Sequence, residues 1–354
     1  MPASPRILIV ITVYNGKEIT ADCLRSLNQS DYREFDVLII DNASTDGSKE
    51  YLEGMFPGLE VIRHSQNLGV CRAYNRGLQV ALARQYAYAL IMNNDVILAP
   101  DCLSQLVKRA RAPDQPAALA PLIFLFDHPE KTWFCGGHLD FESLTARHCK
   151  SLEDFESLPP ASRFITACAM LLRMEAVRRV GWFDERIFMY YDDTDYSMRF
   201  ARKGYGLEIE SKAHLYHRVG TSSSGDQQRG AFRTYHILRS ELYFWRKHLG
   251  WWRFHRRYCD AHLGNWINQI ACWRTIPGRP PVVEAIIDAL WYFLSGKRNP
   301  VVRSIAPAWF RKLMFVRPWL VAELMAFRCP LRNQRSTTAK TPKRSQSVAS
   351  SDML

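Results

Sequence analysis

The feature that most constrains this chain is a rhythm in its first hundred residues: short continuous apolar runs, each stopping at a polar cluster. Ile7-Leu8-Ile9-Val10-Ile11, Val37-Leu38-Ile39-Ile40 and Ala89-Leu90-Ile91-Met92 lack polar alternation, as expected of strands buried on both faces. Helical segments separate them. One follows the turn at Tyr14-Asn15-Gly16 and ends near Leu27, one starts from Ser44-Thr45-Asp46-Gly47, and one spans Ala73 to Ala83, with a short strand at Leu59 to Ile62. This alternation predicts an α/β fold with a mostly parallel sheet flanked by helices. Ligands of such sheets bind beyond the carboxyl ends of the strands. Thr12 to Asn15, Asp41 to Asp46 and Asn93 to Asp95 all fall there. Polar residues also populate ordinary turns, so one cluster says little. Three on one edge point to a ligand site.

With 354 residues, 47% of them hydrophobic, the chain can bury a large core and reads as one large domain plus an appendage. A net charge of +12 suits phosphates, acidic lipid or nucleic acid without choosing among them. The nine cysteines are scattered and odd in number, with no C-x-x-C pair, which favours a reduced, cytoplasmic protein over a disulfide framework or zinc ribbon. The start, MPASPR, does not resemble a signal peptide, and no apolar run approaches the ~20 residues of a spanning helix. Any membrane contact is expected to be peripheral.

Four features could carry chemistry. Asn93-Asn94-Asp95 puts a carboxylate and two amides just past a buried strand. Magnesium bound to a diphosphate needs only one or two protein carboxylates, so Asp95 is a candidate metal ligand; the alternative is an Asx-rich strand exit. Asp192, Asp193 and Asp195 crowd a helix start after Phe188-Met189-Tyr190-Tyr191. Acids there suit the helix dipole, but close carboxylates also raise one another's pKa, which makes a general base. His217 follows a strand-like stretch and could be structural or a metal ligand. Gly136-Gly137, after Trp133-Phe134, is either a loop that approaches a ligand or an ordinary turn.

The chain has no G-x-G-x-x-G after its first strand, no P-loop and no G-x-S-x-G. Its ordered blocks do resemble a known family. These are Val13-Tyr14-Asn15-Gly16, Asp41 to Ser48, Asn67-Leu68-Gly69 with Asn75-Arg76-Gly77, Asn93-Asn94-Asp95, Gly181 to Glu185, Tyr191 to Asp195, and His217 to Gly220. In this order they resemble a family 2 glycosyltransferase of GT-A fold, near the bacterial rhamnosyltransferase-like members, over roughly residues 7–247. The resemblance implies an inverting, metal-dependent enzyme that moves a sugar from a nucleotide-diphosphate donor to a hydroxyl of a glycan or lipid-linked acceptor. Rhamnose or another deoxysugar and surface-polysaccharide synthesis are what the subgroup suggests.

The resemblance also implies site roles. Thr12, Tyr14, Asn15, Asp41, Asn67 and Gly69 would line the nucleotide, with Asp41 near the base. Asn93 and Asn94 occupy the place of the family's D-x-D motif, whose last acid, Asp95, would contact Mg²⁺ or Mn²⁺ together with His217. Asp193 matches the general base, although the Asp-Asp at this position leaves the choice between Asp193 and Asp195 open. The first acid of D-x-D is missing.

These readings divide the chain into a GT-A catalytic domain (1–230), a helical region (231–333) and a disordered basic tail (334–354). The helical region interleaves rings and cations, as in Trp245-Arg246-Lys247-His248, Trp251 to Arg257 and Ala308 to Arg317. Such helices lie in an anionic headgroup layer or pack as amphipathic helices on the catalytic domain. A non-enzymatic basic protein that binds membrane or nucleic acid through this region is the alternative, but no nucleic-acid motif is visible.

Overall fold

The computed structural model describes residues 4–219, 227–258, 262, 281–296 and 305–316. The alternating start folds as β1 (Ile7–Val13), α1 (Lys17–Asn28), β2 (Phe35–Asp41), α2 (Ser48–Met55), β3 (Glu60–Arg63), α3 (Val70–Ala83) and β4 (Tyr88–Asn93). The middle supplies β5 (Val96–Leu98), α4 (Cys102–Ala110), β6 (Ala118–Leu125), β7 (Thr132–Phe134), β8 (Gly137–Asp140), β9 (Thr145–His148), α5 (Leu152–Ser157), β10 (Arg163–Phe164) and β11 (Ala169–Arg173). Then come α6 (Met174–Val180), α7 (Asp192–Arg202), β12 (Leu207–His217), α8 (Gln227–Tyr258), α9 (Pro281–Leu294) and α10 (Ala308–Val316).

The main sheet has nine strands in the order β3-β2-β1-β4-β11-β6-β12-β5, with β7 beside β6. The strands β1 to β4 pair in parallel, as expected of continuous apolar runs. Strand β11 runs antiparallel between β4 and β6, which leaves β6 and β12 aligned with the first four. Ile7 to Ile11, Leu38 to Ile40 and Ala89 to Met92 are essentially inaccessible and form the centre of the core.

Local departures from the sequence reading have packing causes. The apolar stretch 164–174 is not one strand: β10 joins β8 and β9 in a separate three-stranded sheet, and the chain crosses to β11 through Ile165 to Cys168. A side chain at Gly136 or Gly137 would strike the rings of Phe155 or Phe164, so these glycines serve packing rather than a ligand. Helix α7 begins at Asp192, which places all three acids in its first turn.

Helix α8 starts before residue 230 and bends where Gly250 takes a positive φ. Its first part packs on the preceding fold, and its second part packs on α9, with Phe254 against Phe293. The six described cysteines are free thiols, while Cys259, Cys272, Cys329 and the tail 334–354 lie outside the described residues. Among the described residues no helix is long and apolar enough to cross a membrane.

Candidate functional site

The register of the parallel strands brings two of the polar clusters side by side. Val13 of β1 lies opposite Asp41 of β2, and Thr12 lies opposite Asn93 of β4. Asp41 is buried; its Oδ1 accepts from the Ser44 backbone N–H at 2.8 Å. Its Oδ2 lies 3.4 Å from Arg63 Nε and has no hydrogen-bond partner among the described residues. Tyr14 stands at the lip, 54% exposed.

The neighbouring loops are laced together. Asn15, at φ 60°, takes the Thr45 N–H on its Oδ1 at 2.8 Å and donates its own N–H to Ser44 Oγ at 2.8 Å. Asp46 accepts the Gly16 N–H at 2.7 Å, where a carboxylate suits the start of α1. Asn15 therefore shapes the loop, and its side chain is already engaged.

Asn42 ties in the next loop: its Nδ2 donates to Gly69 O at 3.1 Å, and its Oδ1 accepts from Leu68 N at 3.2 Å and lies 3.0 Å from His64 Nδ1. Asn67 closes the turn by accepting the Gly69 N–H at 3.0 Å. Gly69 has a positive φ, and a Cβ there would stand 2.5 Å from the carbonyl of Phe188. That close approach joins the first polar edge to the segment that leads into α7, and Val70 N donates to the same carbonyl at 2.8 Å.

The third cluster splits its duties. Asn93 Oδ1 accepts from the Tyr74 hydroxyl at 3.4 Å, and Asn94 Nδ2 donates to Thr20 Oγ1 at 2.9 Å. Asp95 turns the other way and meets His217 Nε2 at 3.3 Å, both groups nearly buried. Burial disfavours a charged His217, but the neighbouring Cys168 and the hydrogen bond to Asp95 outweigh it and raise the ring's pKa to about 10. Trp133 packs edge-on against His217, with ring centroids 4.4 Å apart.

Cys168 links this pair to the acids of α7. Asn93 N donates to Cys168 O at 3.0 Å, and one residue earlier Ala167 N donates to Asp193 Oδ2 at 3.3 Å. Asp193 Oδ1 accepts from Thr194 N at 2.6 Å. Burial raises the Asp193 carboxyl above its usual range, and Asp192 is raised further by burial and by the Asp193 charge. His148 lies close enough to feel the Asp193 charge, and its Nδ1 is 3.1 Å from Trp133 O. Burial keeps its pKa lowered.

Asp195 belongs to a different environment. It is completely buried and bonded to Arg199 (2.9 Å), His248 (2.7 Å) and Lys247. Burial alone would raise its pKa, but the hydrogen bond from His248 and the charges of Lys247 and Arg199 leave it lowered. Lys247 also reaches Asp184 at 2.8 Å, as does the Tyr243 hydroxyl. Ser240 donates to Met189 O at 2.8 Å, and His236 stacks on Phe188 at 4.7 Å. Helix α8 thus clamps both sides of the acidic segment. Trp245 is fully buried, so this part of the ring-and-cation pattern is packing.

Asp41, Thr12 and Asn93 share one edge, and the 166–168 segment joins Asn93 to Asp193 while Asp95 and His217 face each other beside it. Sequence reading did not single out His64, His148 or Cys168, and it met Asn42, Trp133, Lys247 and His248 only inside longer patterns, with no role at the site. A lone polar or aromatic residue in a loop carries no periodic signal that would select it. Asp95 and His217 are two ligand-type groups; no set of three that could hold a metal occurs among the described residues. A cleft of about 340 Å³ lined by Arg6, Asp36 and Tyr86 lies at the opposite ends of β1 and β2, and its Arg6–Asp36 ion pair already occupies its charges.

Residues 8–181 match the model of glycosyl transferase family 2. An N-acetylglucosaminyl-diphospho-decaprenol L-rhamnosyltransferase of Mycobacterium tuberculosis is 26% identical over 270 residues, covering 69% of this chain and 86% of the relative. A mannosyltransferase from Pyrobaculum calidifontis, solved with GDP-Man and Mn²⁺, superposes with a TM-score of 0.51 at 16% identity, over 92% of this chain and 88% of that one. GalNAc-T7, solved with UDP, GalNAc and Mn²⁺, gives 0.54 at 13% identity over 83% and 57%. These two likenesses show the fold. Residues 8–181 thus carry a family 2 glycosyl transferase domain built on the GT-A fold, and the chain is similar to a rhamnosyltransferase.

Proposed function

We propose that this enzyme transfers a sugar, rhamnose or a related deoxysugar, from a nucleotide-diphosphate donor to a hydroxyl of a glycan or lipid-linked acceptor, with inversion, in surface-polysaccharide synthesis at the cytoplasmic face of a membrane. The observation that carries the reading is the single edge shared by Asp41, Thr12 and Asn93, joined through Asn93–Cys168 and Ala167–Asp193 to the acids of α7. The rhamnosyltransferase relative, whose name includes a decaprenol-linked acceptor, supports the class of substrate.

Tyr14 offers an exposed ring to a base, and the unbonded Asp41 Oδ2 offers an acceptor to a base or ribose N–H or O–H. Asn15, Asn67 and Gly69 hold the loops that frame this place, and Asn93 and Asn94 set the strand exit. Asp95 suits Mg²⁺ or Mn²⁺ only if diphosphate oxygens and water complete the shell, and His217, protonated in its pairing with Asp95, would join as a second ligand only by giving up that proton in favour of the ion. Bound there, the ion would offset charge on the departing diphosphate.

Asp193 accepts the proton of the attacking hydroxyl. Its raised pKa makes it a stronger base than an exposed aspartate, and its second oxygen is held by Thr194 N. The hydroxyl oxygen attacks the anomeric carbon from the face opposite the diphosphate, so one displacement inverts that centre. Asp195, saturated by Arg199, Lys247 and His248, positions α7 and takes no proton. Incubation with UDP-, GDP- and dTDP-sugars should release nucleoside diphosphate from one donor class, and EDTA should stop it. No release from any donor, with or without Mg²⁺ and Mn²⁺, ends this reading.

A further inference from the structure

The charge of this chain is segregated. Residues 1–230 hold 26 Lys and Arg against 29 Asp and Glu, whereas residues 231–333 hold 17 against 5. The positive balance therefore belongs to residues 231–333 and not to the sheet that carries the candidate site. Two of these helices also break the rule that surface helices turn their aromatic residues inward. In the last turns of α8, Phe254 and Tyr258 are buried, while Trp252 is 56% exposed and Arg253 and Arg256 share its outer side. In α10, Phe310 and Met314 are buried, while Trp309 is 61% exposed beside exposed Lys312, and Ile305 just before it is 70% exposed. Both inner faces already have their apolar partners; Trp309 sets its ring edge-on to Trp291 at 5.4 Å yet stays 61% exposed, so packing accounts for only part of the outer tryptophans.

We propose that these outer faces, Trp252 with Arg253 and Arg256, and Ile305 with Trp309 and Lys312, seat the protein on an anionic lipid surface. Tryptophan settles at the headgroup level, arginine and lysine meet lipid phosphates, and an exposed isoleucine gains by entering the acyl boundary. A nucleic-acid backbone would use the cations but give Ile305 nothing. Helix α8 also holds Asp184 and Asp195 through Lys247 and His248, so docking its end fixes the acidic segment relative to the bilayer.

Removing the helices would take away the partners of Asp195, so the test uses point variants of the full chain. Sedimentation with phosphatidylcholine vesicles, with and without phosphatidylglycerol, reads the partition. The chain is expected to pellet with the anionic vesicles alone, and less so as salt rises. Arg253→Gln with Arg256→Gln should weaken binding on the order of 30-fold, at ~1 kcal/mol per cation. Trp252→Ser with Trp309→Ser should weaken it as well; Trp252→Ser alone, which leaves the Trp309–Trp291 contact intact, should weaken binding with the melting temperature unchanged.

Equal pelleting of the wild type and both double variants overturns the proposal. So does a tryptophan variant that binds anionic vesicles normally while the wild type binds a single-stranded oligonucleotide as tightly, since that is plain polyanion binding. The inference stands apart from the sugar-transfer reading. Nucleoside diphosphate release without vesicles, measured on the same variants, should be unchanged.

Discussion

At the scale of single residues, the three acids of α7 show how position divides chemically identical groups. Asp195 is neutralised by three cationic or imidazole partners, whereas Asp193 and Asp192 sit in a buried pocket without a counter-charge that outweighs desolvation. Asp193→Asn is expected to lower kcat by about 10²–10⁴ with donor affinity retained, read by turnover beside a nucleotide-binding titration. Because burial raises the Asp193 pKa, its base form disappears as pH falls through a value above the usual range near ~3.9. The acid limb of kcat/KM should therefore stand higher than for an ordinary aspartate. Asp192 holds its proton to higher pH than Asp193, so Asp192→Asn should leave that limb nearly in place; a limb moved to lower pH would show that Asp192 is charged while Asp193 titrates.

At the scale of elements, α7 is held by α8 through ion pairs rather than by apolar contact alone. Breaking one partner of a buried pair leaves the others charged and unsatisfied, at a cost of about 3–5 kcal/mol. Asp195→Ala should lower stability in urea unfolding by that order. The pH dependence has a fixed sign. The folded pKa of Asp195 lies below its unfolded value, so its contribution is present above the ordinary carboxylate range and is lost as pH falls through the folded value. The wild type should lose stability on acidification, and Asp195→Asn should show a shallower loss over the same span.

At the scale of the whole molecule, the first part of α8 contributes large side chains to the core. Tyr235, Leu238, Leu242, Phe244 and Trp245 are buried to 1% exposure or less, and each buried large side chain contributes roughly 1.5–3 kcal/mol. Their sum is comparable with the 5–15 kcal/mol net stability typical of a whole domain. A chain ending at residue 226 should fail to unfold cooperatively, as read by circular dichroism on heating. A cooperative melt like that of the full chain would return α8 to the status of an attached module. Residue 230, where the sequence divides the chain, falls inside α8, whose residues on both sides of the Gly250 bend meet α9 through Arg239, Arg246 and Phe254.

The sequence by itself determined the sheet's first half and the edge where ligands meet it. Continuous apolar runs can only be buried on both faces, and each run ended where its polar cluster began, so Thr12, Asp41 and Asn93 were legible in advance. It also determined that Asp192 to Asp195 form a charged helix start. Only the tertiary structure decided which of those acids is neutralised, because Lys247 and His248 lie more than fifty residues away from Asp195 and reach it only through the packing of α8. The same holds for Trp133, brought beside His217 by β7 of the main sheet, for His148, brought within reach of Asp193 by the small second sheet, and for Trp245 and Trp252, alike in sequence context but buried and exposed. Burial and pairing are sums over neighbours distant in the chain, and local pattern does not encode which neighbours those are.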